Sequence, residues 1–473
     1  MKVLDEIRAR ARERPGAAAL IVGAPEGSRE ISYAALVERM DADAARLSAA
    51  GVGRADRCGL LAPQGAGFVE AALSILAAGA CLAPIPSDCP GAALERFAEQ
   101  AALHHVVREA CGELRCETRR SVPAVDGEGD SVFRALEPAY LRFTSGTTHE
   151  RKGVILSHAR IDERLEAANQ ALRIGPEDRI LWLLPMAHHF VVSILLYLRF
   201  GATILLPSAS LARPVLELAS RERATLLYAS PFHHHLLSKD ASALGLADAR
   251  LAISTAEGLR DEVAVRFRER FGIALSQALG IIEVGLPVLN LAEAETKPLA
   301  LGRPLPAYEV WLRDEDGRAL RGPGGSERTG EVCVRGPGLF DAYLAPWTPA
   351  ATVIEPDGFR TGDQGWFDAD GTLFLAGRRK SRINMAGMKF FAEEVESVLA
   401  QHPAVRECRV LARIHAQLGE IPVAEIVLAD PAHEPRRSAL LAHCREQLPA
   451  YKIPRELRFV PELERTVTGK VKR

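Results

Sequence analysis

The stretch Tyr140-Leu141-Arg142-Phe143-Thr144-Ser145-Gly146-Thr147-Thr148-His149-Glu150-Arg151-Lys152-Gly153-Val154 sets a cluster of small hydroxylated residues between two apolar runs. Such a loop leaves backbone N–H groups exposed and adds hydroxyl donors, a combination that can close around phosphate oxygens. Lys152 supplies a compact positive charge for the same anion. It is not a Walker loop, because Lys152 precedes Gly153 instead of following it into Ser or Thr. A Ser/Thr/Gly run is also an ordinary surface turn. The apolar runs before it and after it, at Gly153–Leu156, favour the functional reading.

Outward from this loop, short apolar runs alternate with longer amphipathic ones. Ala35–Ala50 has helical spacing and stops at Gly51-Val52-Gly53; Cys58–Ala62 reads as a buried strand and Phe68–Ala78 as a helix. Downstream, Arg179–Leu184, Ala202–Leu206 and Ala224–Ala229 read as strands and Val191–Arg199 as a helix. Regular alternation predicts an α/β fold, with parallel-type sheets covered by helices. After Lys297 the texture turns Gly- and Pro-rich with short β-like runs, predicting a β-rich subdomain over about residues 298–379. From Lys380 to Arg473 a hairpin, two helices and two strands predict a small α+β C-terminal domain, leaving 1–379 as the large N-terminal one.

Composition agrees with a globular protein: 473 residues, 48% apolar and 25% charged. A net charge of −2 gives no bulk attraction to nucleic acid or acidic lipid, so neither is expected as a partner and phosphate recognition must be local. The N-terminus alternates charges without an apolar signal core, and Ile180–Pro207 is broken by Pro185, His188, His189 and Arg199. A cytoplasmic protein without a membrane span is the expectation. The eight cysteines form no framework; only Cys111 and Cys116, with His104 and His105, hint at metal spacing, and scattered reduced thiols are the plainer reading. His233-His234-His235 would splay apart on a helix, so these are read as helix surface rather than a metal site.

The phosphate-type loop resembles that of the adenylate-forming superfamily: acyl- and aryl-CoA ligases, adenylation domains of peptide synthetases, and luciferases. The resemblance recurs in order along the chain. Leu76–Ile85 is similar to an early Ala-Ala-Gly…Pro segment; Leu279-Gly280-Ile281-Ile282-Glu283 stands where the family has Tyr-Gly-x-Thr-Glu; Thr329–Pro337 resembles its Gly-Glu strand. Phe359-Arg360-Thr361-Gly362-Asp363 and Gly377–Ile383 resemble its nucleotide and hinge signatures, and Arg465–Arg473 its terminal Gly-Lys motif.

This resemblance implies attack of a carboxylate on the α-phosphorus of ATP, giving acyl-AMP and pyrophosphate, followed by transfer of the acyl group to a thiol. It implies that Thr144, Ser145, Gly146, Thr147, Thr148 and Lys152 hold the outer phosphates, and that Glu283 binds Mg²⁺. It implies that Asp363, helped by Arg378, holds the ribose, and that Ala256, Glu257 and Gly258 face adenine. Lys470 is the implied catalytic lysine, and Lys380 the hinge of a mobile C-terminal domain whose rotation brings the Gly387 loop toward the thiol. Departures are His149 and Arg151 in the loop, Leu279 for the usual aromatic and Ile282 for the usual Thr.

For the acid, Pro185-Met186-Ala187-His188-His189-Phe190 is similar to the pocket segment of aryl-acid-activating members, with Gly280 near the substrate. No acidic residue lies between Leu181 and Arg199, so the ammonium of a free amino acid would stay unpaired. A hydroxybenzoate-type acid is expected, its ring hydroxyl meeting His189; the alternatives are a medium-chain or alicyclic acid, or a member that binds adenylate without turnover. The chain ends at the lysine motif, so the expected acceptor is separate: coenzyme A or a stand-alone acyl carrier protein.

Overall fold

The computed structural model describes residues 2–465 and 471, apart from 25–26, 88, 90, 111, 120–121, 123–129, 144–151, 321, 379–380, 386–387 and 416–417. Its chain divides into two compact units, one of Met1–Glu309 with Arg335–Phe359 and the other of Val310–Val334 with Arg360–Arg473.

The first unit holds two large sheets. In the nine-stranded sheet the strands Leu275–Ile281, Leu251–Ser254, Leu226–Ala229, Arg179–Trp182, Thr203–Leu206 and Ala18–Ala24 lie side by side in parallel. Antiparallel strands close both edges. The four-residue strands are buried except at half-buried Arg179, which explains why they read as apolar runs instead of alternating ones. Leu181, Leu205, Leu227 and Ala252 from these strands pack on Val215, Leu216, Val263 and Phe267 from covering helices.

Chain order along this sheet reverses at Arg179–Trp182. The next strand, Thr203–Leu206, pairs on one side of it, and Leu226–Ala229 returns to pair on the other. The carboxyl ends of parallel strands open a crevice at such a reversal, here beside Trp182 and Tyr228, which are register partners.

The eight-stranded sheet contains the parallel strands Arg57–Leu61, Cys81–Ile85, His105–Ala110 and Pro138–Phe143. Pro138–Phe143 pairs antiparallel with Gly153–Ser157, so the phosphate-type loop joins the two arms of a hairpin. Ser157 caps the following helix, His158–Leu172, accepting from the Arg160 N–H at 3.3 Å. The helix stripe Ile161, Leu165, Ala168 and Leu172 is buried, and Arg164 lies on the same buried face. Ala342–Tyr343 adds antiparallel to the other side of Gly153–Ser157.

The span 298–379 distributes more widely than its sequence texture suggests. Arg303–Pro304 extends the nine-stranded sheet and Ala342–Tyr343 the eight-stranded one. Glu309–Arg313, Ala319–Leu320, Gly330–Arg335, Phe359–Phe367 and Leu373–Arg378 make a separate five-stranded sheet. Two-residue strands carry no period of their own, so their sheet membership comes from tertiary packing.

In the second unit a further sheet is built on the long hairpin Val405–His415 with Gly419–Leu428, flanked by Arg382–Met385 and Met388–Phe391, with Glu456–Phe459 parallel to its centre. Helices Ala392–Leu399 and Arg437–Gln447 contribute Val395, Leu399, Leu440 and Cys444 to one core with Ile421, Val423 and Ile426. This is the α+β pattern expected from the sequence. Among the described residues no helix is long and apolar enough to cross a membrane.

Candidate active site

Glu283 sits in the turn between Leu275–Ile281 and Gly285–Leu289. The turn is tight: the Val284 N–H donates to Ile281 O at 3.0 Å, and Gly285 has φ +110°, a conformation that favours glycine. The Glu283 backbone carbonyl accepts from the Phe340 N–H at 2.8 Å, and Oε1 accepts from the Tyr343 hydroxyl at 3.2 Å. Burial first, and then the charge of Glu283, pushes the Tyr343 phenol well above its ordinary range, so it stays a donor at neutral pH.

Tyr343 also meets Lys152, whose Nζ lies 4.6 Å from the ring centroid. The register explains this: Tyr343 pairs with Val154, two residues past Lys152. Gly153 permits the approach, since a Cβ there would stand 3.0 Å from Leu344 Cβ and from Phe143 Cζ. A carboxylate from one sheet and a lysine from the other are thus joined through one tyrosine. Thr144, Ser145, Gly146, Thr147 and Thr148, with His149 and Arg151, lie outside the described residues.

Arg142, last but one in its strand, donates to the His188 carbonyl, and its Nε is buried with no partner among the described residues. Desolvation lowers its pKa, against the opposing effects of Tyr140 and the Glu283 charge. Arg142 lies in the stretch Tyr140–Val154, where its residue type alone assigns it no role.

At the crevice, Trp182 stacks on Tyr228 with centroids 5.2 Å apart and planes 10° apart. The His189 ring stands edge-on to both, at 5.9 Å and 6.3 Å. Trp182 is fully buried and its indole N–H has no partner among the described residues. Burial raises the Tyr228 pKa, with Ser193 and Thr255 acting in the opposite direction. His188 and His189 lie in the short helix Met186–His189, half-buried, the His188 N–H donating to Pro185 O at 3.1 Å. Neither Trp182 nor Tyr228 was singled out in the sequence. The available signal was an amphipathic aromatic at or near the end of each of two buried apolar strands.

Ala256, Glu257 and Gly258 follow the strand Leu251–Ser254 at its carboxyl end. Ala256 has φ +76°, rare for a residue with a side chain, and turns the chain so that Glu257 and Gly258 are exposed. Thr255 anchors the turn, donating from N to Ala229 O at 3.1 Å and from its hydroxyl to Ala278 O at 3.3 Å. Gly280 is exposed on the neighbouring strand, and a Cβ there would lie 3.8 Å from Thr255 Oγ1.

In the second unit, Asp363 and Arg378 face each other as register partners of an antiparallel pair. Asp363 is 5% exposed, and its N–H donates to Thr361 Oγ1 at 3.1 Å. The structure describes the backbone of Arg378 but not its side chain. Lys380 and Lys470 lie outside the described residues, as do Arg379 and Gly387.

The histidine triplet departs from expectation. On the helix Pro231–Lys239, His234 is fully buried, its Nε2 3.1 Å from Ile253 O and its ring edge-on to Phe267 at 4.9 Å. Desolvation lowers its pKa to about 4. It is a core residue because the helix turns this one face onto the Leu251–Ser254 strand. Near the cysteine cluster, His104 Nδ1 accepts from the Arg57 N–H at 2.9 Å, and His105 lies between Asp56 and Thr118. Among the described residues no group of three or more side chains is arranged to hold a metal ion.

These sheets, this crevice and this carboxylate turn define an adenylate-forming enzyme, and comparison with known proteins agrees. The model of the AMP-binding enzyme family matches residues 7–344, and that of the AMP-binding enzyme C-terminal domain matches 394–470. The chain belongs to the AMP-binding enzyme family. It is 29% identical to naringenin synthase of Pestalotiopsis fici, over 94% of this chain but only 18% of that much longer one. It is 27% identical to sulfoacetate–CoA ligase of Cupriavidus necator, over 95% of this chain and 92% of that one. In fold it is similar to the anthranilate CoA ligase AuaEII in complex with anthranoyl-AMP, with a TM-score of 0.82, 23% identity, and 99% and 95% of the two chains covered. Family and CoA-ligase relatives put the chain among the AMP-forming acid–thiol ligases.

Proposed function

We propose that the chain uses ATP to activate an aromatic carboxylic acid, of hydroxybenzoate type, as its acyl-AMP, and then passes the acyl group to a thiol. The observation that carries this reading is the Lys152–Tyr343–Glu283 connection at the base of the phosphate-type hairpin. It sets a fixed cation and a fixed carboxylate where the two large sheets of the first unit meet.

In the first step a carboxylate oxygen of the acid attacks the α-phosphorus and the bond to the bridging oxygen of pyrophosphate breaks. Negative charge builds on the phosphoryl oxygens, and preorganised donors stabilise it. Lys152, the loop Thr144–Thr148 and Lys470 are the donors on this reading. Asp363, with Arg378 opposite, holds the ribose hydroxyls, and the turn Ala256–Gly258 lies along adenine. Glu283 is the residue that would hold Mg²⁺: its carboxylate is the hard oxygen donor this cation takes. Bound there, the ion would neutralise phosphate charge.

The acid enters beside the Trp182–Tyr228 stack. A flat ring suits this aromatic wall by stacking and edge contacts, and His189 can donate to or accept from a ring hydroxyl. In the second step the thiol sulfur attacks the acyl carbon and AMP leaves. Coenzyme A is the acceptor the ligase relatives favour, and a stand-alone acyl carrier protein is the other. Rotation of the C-terminal domain about Lys380 would exchange Lys470 for the thiol path.

The test is acid-dependent ATP–pyrophosphate exchange over hydroxybenzoates, cinnamates, fatty acids and amino acids, with Lys470→Ala alongside. Exchange with aromatic acids only, lost in the variant, supports the proposal. Preferential exchange with hexanoate refutes the aromatic assignment. No exchange with any acid, together with tight binding of an acyl-AMP mimic, would mark a chain that binds adenylate without turnover. Offering both thiols to the loaded enzyme separates the acceptors.

A further inference from the structure

Arg164 is 2% exposed on the buried stripe of the helix His158–Leu172, where an apolar side chain would be expected. Its charge is answered by two main-chain carbonyls. Nη1 donates to Ile282 O at 3.0 Å; Nε donates to Gly338 O at 3.1 Å, and Nη2 donates to the same oxygen. The first carbonyl immediately precedes Glu283 in the turn. The second belongs to the loop that runs into Phe340, whose N–H holds the Glu283 carbonyl, and on to Tyr343, whose hydroxyl holds the Glu283 carboxylate.

Two glycines allow the close packing at the base of the Arg164 side chain. A Cβ on Gly338 would come 2.7 Å from Arg164 Cβ and 2.8 Å from Arg160 O, and Gly338 has φ +70°. A Cβ on Gly285 would lie 3.4 Å from Arg164 Cβ and 3.3 Å from the Tyr308 hydroxyl. The Gly338 N–H donates to Glu163 Oε2 at 2.8 Å, so consecutive helix residues hold the N–H and the carbonyl of one glycine. Desolvation lowers the Arg164 pKa to about 10, with Tyr308, Asp341 and Glu283 acting in the opposite direction. The group therefore remains charged at neutral pH.

We propose that Arg164 is the positioning residue for Glu283, fastening the turn that carries it to the loop that carries its two hydrogen-bond donors. This rests on the reading of Glu283 as the Mg²⁺ carboxylate. A planar fork is suited to the task, because one side chain reaches two carbonyls on separate segments at fixed geometry; a lysine is a point charge that satisfies one of them.

Arg164→Lys keeps the charge and loses the fork. Arg164→Met keeps the bulk and leaves two buried carbonyls without their donor. Calorimetry would compare metal-free AMP with the Mg²⁺ complex of α,β-methylene-ATP on wild type, both variants and Glu283→Gln. Removing the support of a metal carboxylate typically costs about 10–100-fold in metal-dependent affinity. The expected result is that loss for the Mg²⁺ complex in Arg164→Lys, with AMP affinity unchanged within about twofold. Should Arg164→Met fail to fold, Arg164→Lys carries the test, and its AMP affinity reports an intact nucleotide site.

Parallel weakening of AMP and the Mg²⁺ complex would overturn the proposal by showing a general structural role. So would an unchanged Arg164→Lys beside a weakened Glu283→Gln, and that pattern would leave the functional reading standing. If Glu283→Gln is itself indifferent to Mg²⁺, the metal role of Glu283 falls, and the positioning role with it.

Discussion

Tyr343→Phe removes one oxygen and leaves the ring. In the wild-type structure that oxygen donates to Glu283 Oε1 at 3.2 Å, and the ring face carries Lys152 Nζ at 4.6 Å from its centroid. The substitution therefore isolates the hydrogen bond from the cation–π contact. A hydrogen bond to a charged acceptor contributes about 1.5–3 kcal/mol, and about 1.4 kcal/mol corresponds to a factor of ten in rate. Pyrophosphate exchange should fall about 10–100-fold. AMP affinity should hold, since neither partner is assigned to the ribose or the base. Tyr343→Leu removes the ring as well and should lose a further ~0.5–2 kcal/mol as Lys152 is released. Because hydroxyl and carboxylate act as one unit, Tyr343→Phe in a Glu283→Gln background should cost much less than it does alone. The assay is isotope exchange at saturating acid, with thermal unfolding of each variant to verify folding. Full exchange in Tyr343→Phe would refute the argument that this bond orients Glu283. Additive losses in the double variant would refute the coupling.

Three other outcomes follow from the geometry. Tyr228→Ala deletes half of the aromatic stack; it should cost about 3–5 kcal/mol of stability and admit bulkier acids, and an unaltered acid profile in exchange assays would contradict a wall role. Asp363→Asn replaces a charged acceptor by a neutral one and should weaken AMP about tenfold by calorimetry, charge-assisted bonds being roughly twice as strong as neutral ones; unchanged affinity would remove Asp363 from the ribose site. Burial raises the Glu396 pKa to about 7 from an ordinary 4.5, although its Oε1 accepts from the Val410 N–H at 2.7 Å and Arg409 lies nearby. The folded chain then binds this proton more tightly than the unfolded one, so its stabilising effect is full below about pH 4.5 and is lost as pH rises to about 7. That loss is ~3 kcal/mol at most. Urea midpoints should fall between pH 5 and pH 8 in wild type and flatten in Glu396→Gln; an equal fall in both would exclude Glu396 as the cause.

What could be read from the sequence follows from which forces act locally. Arg57–Leu61, Thr203–Leu206 and Leu226–Ala229 were legible because strands buried on both faces carry short, nearly unbroken apolar runs. Glu283, Asp363 and Lys152 stood out as candidates because each sits in a short motif that resembles one of the family's. The sheet membership of Arg303–Pro304 and Ala342–Tyr343 was not legible, since two residues hold no period and the strands that join them to the large sheets lie more than a dozen residues away. His234 was misread for a related reason: helical spacing separates the three rings correctly, yet says nothing of which ring meets Phe267.

The supports of the candidate site are hidden in a more systematic way. Arg164 acts on Glu283 through backbone carbonyls, and a carbonyl leaves no mark in an amino-acid sequence. Only the demand side is visible: an arginine on the stripe Ile161, Leu165, Ala168 and Leu172, where burial of an unanswered charge would cost several kcal/mol. Such a position says that acceptors must exist and leaves open where they are. Trp182 and Tyr228 carry the same kind of signal, each with a polar tip that must find a partner when buried. The Trp182 N–H is unanswered within the described protein. A buried donor left without a partner costs about 1–3 kcal/mol. Charged or polar groups set among the apolar residues of a predicted element are thus the sequence feature to follow toward the supports of a site, as motifs are the feature to follow toward the groups that act in it.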